Sequence, residues 1–127
     1  MKVCISCSSN GKYALTDSRF GRCAYFAFYD TENKDFSFIE NDSTNHPQGA
    51  GIAAVQKIVD AYAEVVITGS LGPNAMKFLQ ASNIKAYKIE EGNVLQQIKL
   101  FEEGKLKPIE EAGSGKAGME NRMGKGW

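Results

Sequence analysis

The sequence predicts an α/β domain on a mixed five-stranded sheet, with elements in the order β-β-β-α-β-α-β-α. Three observations predict it. Two short runs rich in aromatic and β-branched residues, AYFAFY and FSFIE, flank the polar turn DTENKD, as in a hairpin. From Ile52 onward, stretches with helical apolar spacing alternate with short apolar runs of strand length. Glycine, proline and asparagine stand at the joints between them.

The elements follow in order. KVCIS (Lys2–Ser6) alternates and is β-branched, so it reads as a strand. SSNGKYALTDSRFGR (Ser8–Arg22) is polar and reads as a loop, long enough to imply a function. The hairpin strands are Ala24–Tyr29 and Phe36–Glu40, and Asn41–Gly49 is a second loop. Ile52, Val55, Ile58, Val59 and Tyr62 share one helical face. EVVIT (Glu64–Thr68) is continuously apolar after its first residue, as a central parallel strand should be. Pro73 fits the first position of the next helix, and Asn83 can end it in the left-handed conformation. Ile84–Ile89 is the fifth strand. Asn93 then caps VLQQIKLFEE, with Gln96 placed for a capping box and Gly104 as the stop. Periodicity fades after Pro108, so residues 1–108 read as the domain and 109–127 as a flexible tail containing Gly, Lys and Met.

The totals narrow the function. The chain has 127 residues, 43% of them apolar and 24% charged, which suits one globular domain. Fifteen basic residues balance fifteen acidic ones, so no overall charge drives the chain toward nucleic acid or an anionic membrane. No apolar run approaches the ~20 residues of a membrane span. The amino terminus lacks a signal-peptide layout, and the expected location is cytoplasmic. Cys4, Cys7 and Cys23 are odd in number and are expected to be reduced.

A meander of the first three strands makes the third parallel to the first. Right-handed crossovers then make the fourth and fifth parallel to both. The loops after strands one, three and four, and the loop entering strand two, open at one edge of the sheet. Open α/β sheets bind ligands at that edge. Residues 7–10, 19–23, 46–51 and 69–74 are thereby gathered, together with two helix amino termini near Gly51 and Pro73. Helix N–H groups and the side chains of Arg19 and Arg22 favour an anion there.

Each motif has a bland reading beside the functional one. GAGIAA matches the dinucleotide fingerprint G-x-G-x-x-A, but its context does not. A long loop precedes it, and Leu71 and Gly72 stand where an acidic residue would be needed. GSLGPN lacks the Lys-Ser/Thr of a phosphate-binding loop, which leaves either a structural turn or a ligand contact through Gly69 and Asn74. CISC has paired-cysteine spacing, but residues three apart on a strand face opposite sides. Cys4 is therefore expected in the core, and Cys7 and Cys23 either there or at the site. His46, the single histidine, is either a ligand or a loop residue.

RFGRCAYFAFYD, GAGIAAVQKI, VVITGSLGPNAMKFL and FEEGKL occur in an order and at spacings that resemble the dinitrogenase iron–molybdenum cofactor family, the NifX-like proteins and the related domain of NifB-type proteins. The resemblance spans Met1 to Pro108. It implies a three-layer, ribonuclease H-like fold. It also implies binding and carriage of an iron–sulfur or iron–molybdenum-type cluster, or a precursor, between donor and acceptor proteins. In several members a His or Cys near the glycine pair or in the first loop is thought to contact the cluster. Here that implies His46, three residues before Gly49, with Cys7 and Cys23 as further candidate metal ligands. Arg19, Arg22, Gly49, Gly51, Gly69 and Asn74 would surround the cluster, since a metal–sulfide cluster is a polyanion.

The expected function is that of a carrier with no turnover. Its rival is a regulatory or interaction module of the same fold that has lost the cluster. A ribonuclease H-like nuclease would need a cluster of carboxylates on the central strands, and KVCIS and VVIT carry none except Glu64 at a strand start.

Overall fold

The computed structural model describes residues 1–42 and 49–110. The strands are β1 (Lys2–Cys7), β2 (Tyr25–Asp30), β3 (Asp35–Glu40), β4 (Val65–Thr68) and β5 (Lys85–Lys88), and the helices are α1 (Ala50–Asp60), α2 (Pro73–Ala81) and α3 (Val94–Glu102). The sheet order is β3-β2-β1-β4-β5. The pairs β1–β2 and β2–β3 are antiparallel, whereas β1–β4 and β4–β5 are parallel. The expected mixed sheet and element order are present.

Alternation along β1 sends its side chains to two cores. Cys4 joins Phe26, Phe28 and Val66 on the face covered by α1 and α2, through Val55, Ile58 and Leu79. Val3, Ile5 and Cys7 join Ala27 and Ile67 on the other face, under Val94 and Ile98 of α3. The result is three layers, two helices on one side of the sheet and one on the other. β4 is buried at every residue, as its unbroken apolar run requires.

Local signals decided the helix ends. Asn93 accepts from the Gln96 N–H at 2.9 Å, and the Gln96 side chain accepts from the Asn93 N–H at 2.8 Å, closing the capping box. Pro73 occupies the first turn of α2, and Asn83 takes φ +60° just beyond its end.

Most element ends shift by one residue from expectation, and three further differences bear on the site. β1 runs through Cys7, which pairs with Tyr25, so Cys7 belongs to the strand and not to the loop after it. The loop from Ser8 is far from structureless. It bridges Cys7 with Thr16, Leu15 with Asn93 and Arg19 with Ser70, then makes a 3-10 turn at Phe20–Arg22. Finally, the docked chain reaches past Pro108. The Ile109 N–H donates to the Ala86 carbonyl and the Lys88 N–H to the Lys107 carbonyl, both at 2.8 Å. This segment lies along the outer side of β5. The remainder of the expected tail, from residue 111, lies outside the described residues.

Candidate functional site

The carboxyl edge of the sheet gathers three of the expected segments: residues 19–23, with Asp17 and Ser18 before them, the entrance to α1 and the turn from β4 into α2. The contacts between them are close. The Ser70 N–H donates to the Ser18 carbonyl at 3.0 Å. A methyl group on Gly69 would collide with the Ser18 side chain and stand 2.7 Å from its carbonyl oxygen. A methyl group on Gly21 would lie 2.9 Å from the backbone nitrogen of Gly51. At these two positions only glycine permits the approach of one backbone to another. One added at Gly51 would be 3.3 Å from the Ala75 Cβ, so the first turns of α1 and α2 lie side by side.

Both helices begin at glycine, Gly49 and Gly72, and neither carries an acid in its first turn. The amino-terminal dipoles are therefore not offset by the helices' own first-turn side chains. Asn74 is exposed on the first turn of α2, and Gly49 is exposed at the start of α1. Two clefts open on this edge. One of about 390 Å³ is lined by Gly69, Ser70, Leu71 and Lys88, among others. The other, of about 380 Å³, is lined by Leu15, Thr16, Ser18 and Glu90, among others.

Arg19 is on this edge but is already engaged. Its Nε donates to Asp17 Oδ1 at 3.0 Å and its Nη2 to Oδ2 at 2.8 Å, a two-pronged pair. The Arg19 side chain is 67% exposed, whereas that of Asp17 is only 11% exposed. The hydrogen bonds from Arg19 hold the Asp17 carboxyl below its ordinary range. Arg22 ends the 3-10 turn and is exposed.

The two expected thiol ligands are enclosed. Cys7 and Cys23 are fully buried, and so is Cys4. The Cys7 sulfur lies 3.4 and 3.5 Å from the Ser9 and Tyr25 carbonyl oxygens, either of which can accept its one proton, and the Cys23 thiol donates to the Phe20 carbonyl at 3.4 Å. Burial pushes the Cys7 thiol up to about 11 and the Cys23 thiol to about 12, and the nearby Asp17 carboxylate adds to both shifts. As placed, both stay protonated near neutrality, whereas metal ligation needs the thiolate. Among the described residues, no three His, Cys, Asp or Glu side chains come together to hold a metal ion. His46 lies outside the described residues.

Four residues of this edge were not singled out from the sequence. Ser6 and Thr68 are fully buried at the ends of β1 and β4, with their hydroxyls 2.9 Å apart. Asn41, just past β3, donates through Nδ2 to the Cys23 carbonyl at 2.8 Å and clamps the 3-10 turn. Asp17 is the fourth, and it had a visible signal. An Asp two residues before Arg in a loop can accept from the backbone N–H two positions on, and Oδ1 does so from Arg19 at 2.9 Å.

The comparisons agree with this architecture. The chain is 30% identical over 113 residues to the uncharacterized protein MJ0580 of Methanocaldococcus jannaschii, covering 87% of this chain and 92% of that protein. Its fold is similar to the apo form of the orange protein from Desulfovibrio gigas, with a TM-score of 0.85 at 30% identity, covering 89% and 96% of the two chains. It is also similar to a Thermotoga protein provisionally assigned as NifB, with a TM-score of 0.80 at 31% identity, covering 90% and 97%. The family model described as dinitrogenase iron-molybdenum cofactor matches residues 1–104, and the chain belongs to that family.

Proposed function

We propose that this protein binds and carries an iron–sulfur or iron–molybdenum-type cluster, or a precursor of one, as cargo and without turnover. The observation that carries the reading is the convergence, in a member of this family, of two helix amino termini without first-turn acids on one glycine-packed edge that also bears Arg19 and Arg22. Such an edge suits a polyanion held by charge and backbone N–H groups. A carrier benefits from few covalent ligands, because its cargo must leave. Enclosed, protonated thiols at Cys7 and Cys23 fit that economy better than a fully ligated site, and His46 remains the imidazole proposed to contact the cluster. The orange protein, similar in fold, is described in an apo form, which fits a separable ligand. The partners would be proteins that supply and receive the cluster, and the compartment would be the cytoplasm.

The second reading, an interaction module without a cluster, draws support from the burial of the thiols. Anaerobic incubation of the full chain with isolated iron–molybdenum cofactor, or with ferrous iron and sulfide, separates the two. After desalting, broad sulfide-to-metal absorption with near-stoichiometric metal and sulfide supports the carrier. A colourless protein with neither cargo supports the module. In a carrier, His46→Ala is expected to shorten retention of the bound cluster, followed as loss of absorbance with time. Unchanged retention would remove His46 from the site.

A further inference from the structure

Asp17 is an awkward residue for an edge that binds a polyanion, because its charge opposes the cargo. Its attachment explains its presence. The Asp17 N–H donates to the Ser6 carbonyl at 3.0 Å, and the Ser6 hydroxyl donates back to the Asp17 carbonyl at 2.5 Å. Ser6 in turn meets Thr68 across the two central parallel strands. Both backbone groups of Asp17 are thus fixed to the most buried part of the sheet. From there its carboxylate grips the guanidinium on two prongs and the Arg19 backbone N–H on a third. Among the described residues, two of the five guanidinium N–H donors are used, which leaves three for a ligand.

We infer that Asp17 is a positioning residue: anchored by Ser6 and Thr68, it holds the exposed Arg19 fork in place to meet an anionic cargo. This rests on the carrier reading and adds a residue to it. Ordering the fork in advance removes rotamer entropy that binding would otherwise cost. The alternative role, simple neutralisation of Arg19, makes the opposite prediction. If Asp17 only cancels charge, removing its charge strengthens the attraction for an anion. If it positions Arg19, removing it weakens binding.

Asp17→Asn tests the sign, because it keeps an oxygen to accept the Arg19 N–H while losing the charge and one prong. The assay is equilibrium binding of isolated iron–molybdenum cofactor to the full chain under anaerobic conditions, followed by absorbance. Thermal melts confirm that each variant is folded. The expected result for Asp17→Asn is binding about three- to fivefold weaker, the scale of an exposed charged pair. Arg19→Lys, which keeps the charge and loses the fork, is expected to be weakened to a similar degree. In an Arg19→Gln background the Asp17→Asn change is expected to weaken binding no further. Tighter or unchanged binding by Asp17→Asn, or equal weakening with and without Arg19, overturns the positioning role. Should Asp17→Asn melt well below the wild type, Ser6→Ala replaces it, and unchanged cofactor binding by that variant would equally overturn the role. A wild-type protein that binds no cofactor overturns the carrier reading itself, an outcome distinct from any difference between variants.

Discussion

At the scale of single residues, the three thiols illustrate what burial does to an acid. A group whose folded pKa lies above its unfolded value binds its proton more tightly in the native state. Its contribution to stability is complete below the unfolded pKa and is lost as pH rises through the folded one. For Cys7 and Cys23 that window runs from the ordinary thiol range near 8.5 to about 11 and about 12. The urea midpoint is therefore expected to fall between pH 8.5 and 11, and to fall less steeply in Cys7→Ala and Cys23→Ala variants. An identical slope in wild type and variants would show that other groups carry the loss. The same enclosure predicts that iodoacetamide at pH 8 modifies the thiols only after denaturant is added, as counted by mass spectrometry. At this scale the sequence was only partly legible. Strand alternation placed Cys4 in the core, and the same rule places Cys7 opposite it, under α3. Spacing could not show that β1 continues through Cys7, because that depends on pairing with Tyr25 in a distant segment.

At the scale of elements, the carboxyl edge is a joint between three loops and two helix entrances, and glycine sets its tolerance. Gly69→Ala is expected to destabilise the protein by about 1–3 kcal/mol, since the methyl group meets Ser18 backbone and side chain that hold other contacts. The checks are the denaturation midpoint and faster amide exchange at Ser70, whose N–H bonds to Ser18. A variant as stable as wild type would mean that the 17–22 loop moves aside at little cost. Asn93→Ala removes one half of the capping box and is expected to cost about 1 kcal/mol. Both halves of that box were readable, because capping involves residues three apart. The glycines in GSLGPN were readable as a turn, but not as a seat for Ser18, because a close approach leaves no periodic trace. The long loop likewise hid its order, since its partners at Ser70, Gly92 and Asn93 are remote in sequence.

At the scale of the whole molecule, an open sheet must manage its outer strands. The chain solves this at β5 with its own continuation, residues 107–109, which fills part of the row of backbone groups that β5 would otherwise leave unpaired. A protein ending at Glu110 is expected to melt close to the full-length temperature. One ending at Leu106 is expected to melt lower and to associate through the bared strand. Scanning calorimetry and sedimentation at several concentrations check both, and equal behaviour of the two truncations would remove any role for the covering segment. The fold at this scale was the most legible part, because element order and the handedness of crossovers leave few alternatives. The resemblance narrowed it further. The boundary of the docked chain was not legible, because Ile109 sits in no periodic run.

The bonds that close the carboxyl edge span long stretches of sequence: the Ser70 N–H to the Ser18 carbonyl across 52 positions, Ser6 to Thr68 across 62, and Thr16 to the Gly92 carbonyl across 76. During synthesis, the early loop that bears Arg19 emerges from the ribosome long before any of its partners. The edge closes only after Gly92 has cleared the exit tunnel. A chain interrupted before Gly92 therefore presents no finished edge and no complete surface there for a ligand.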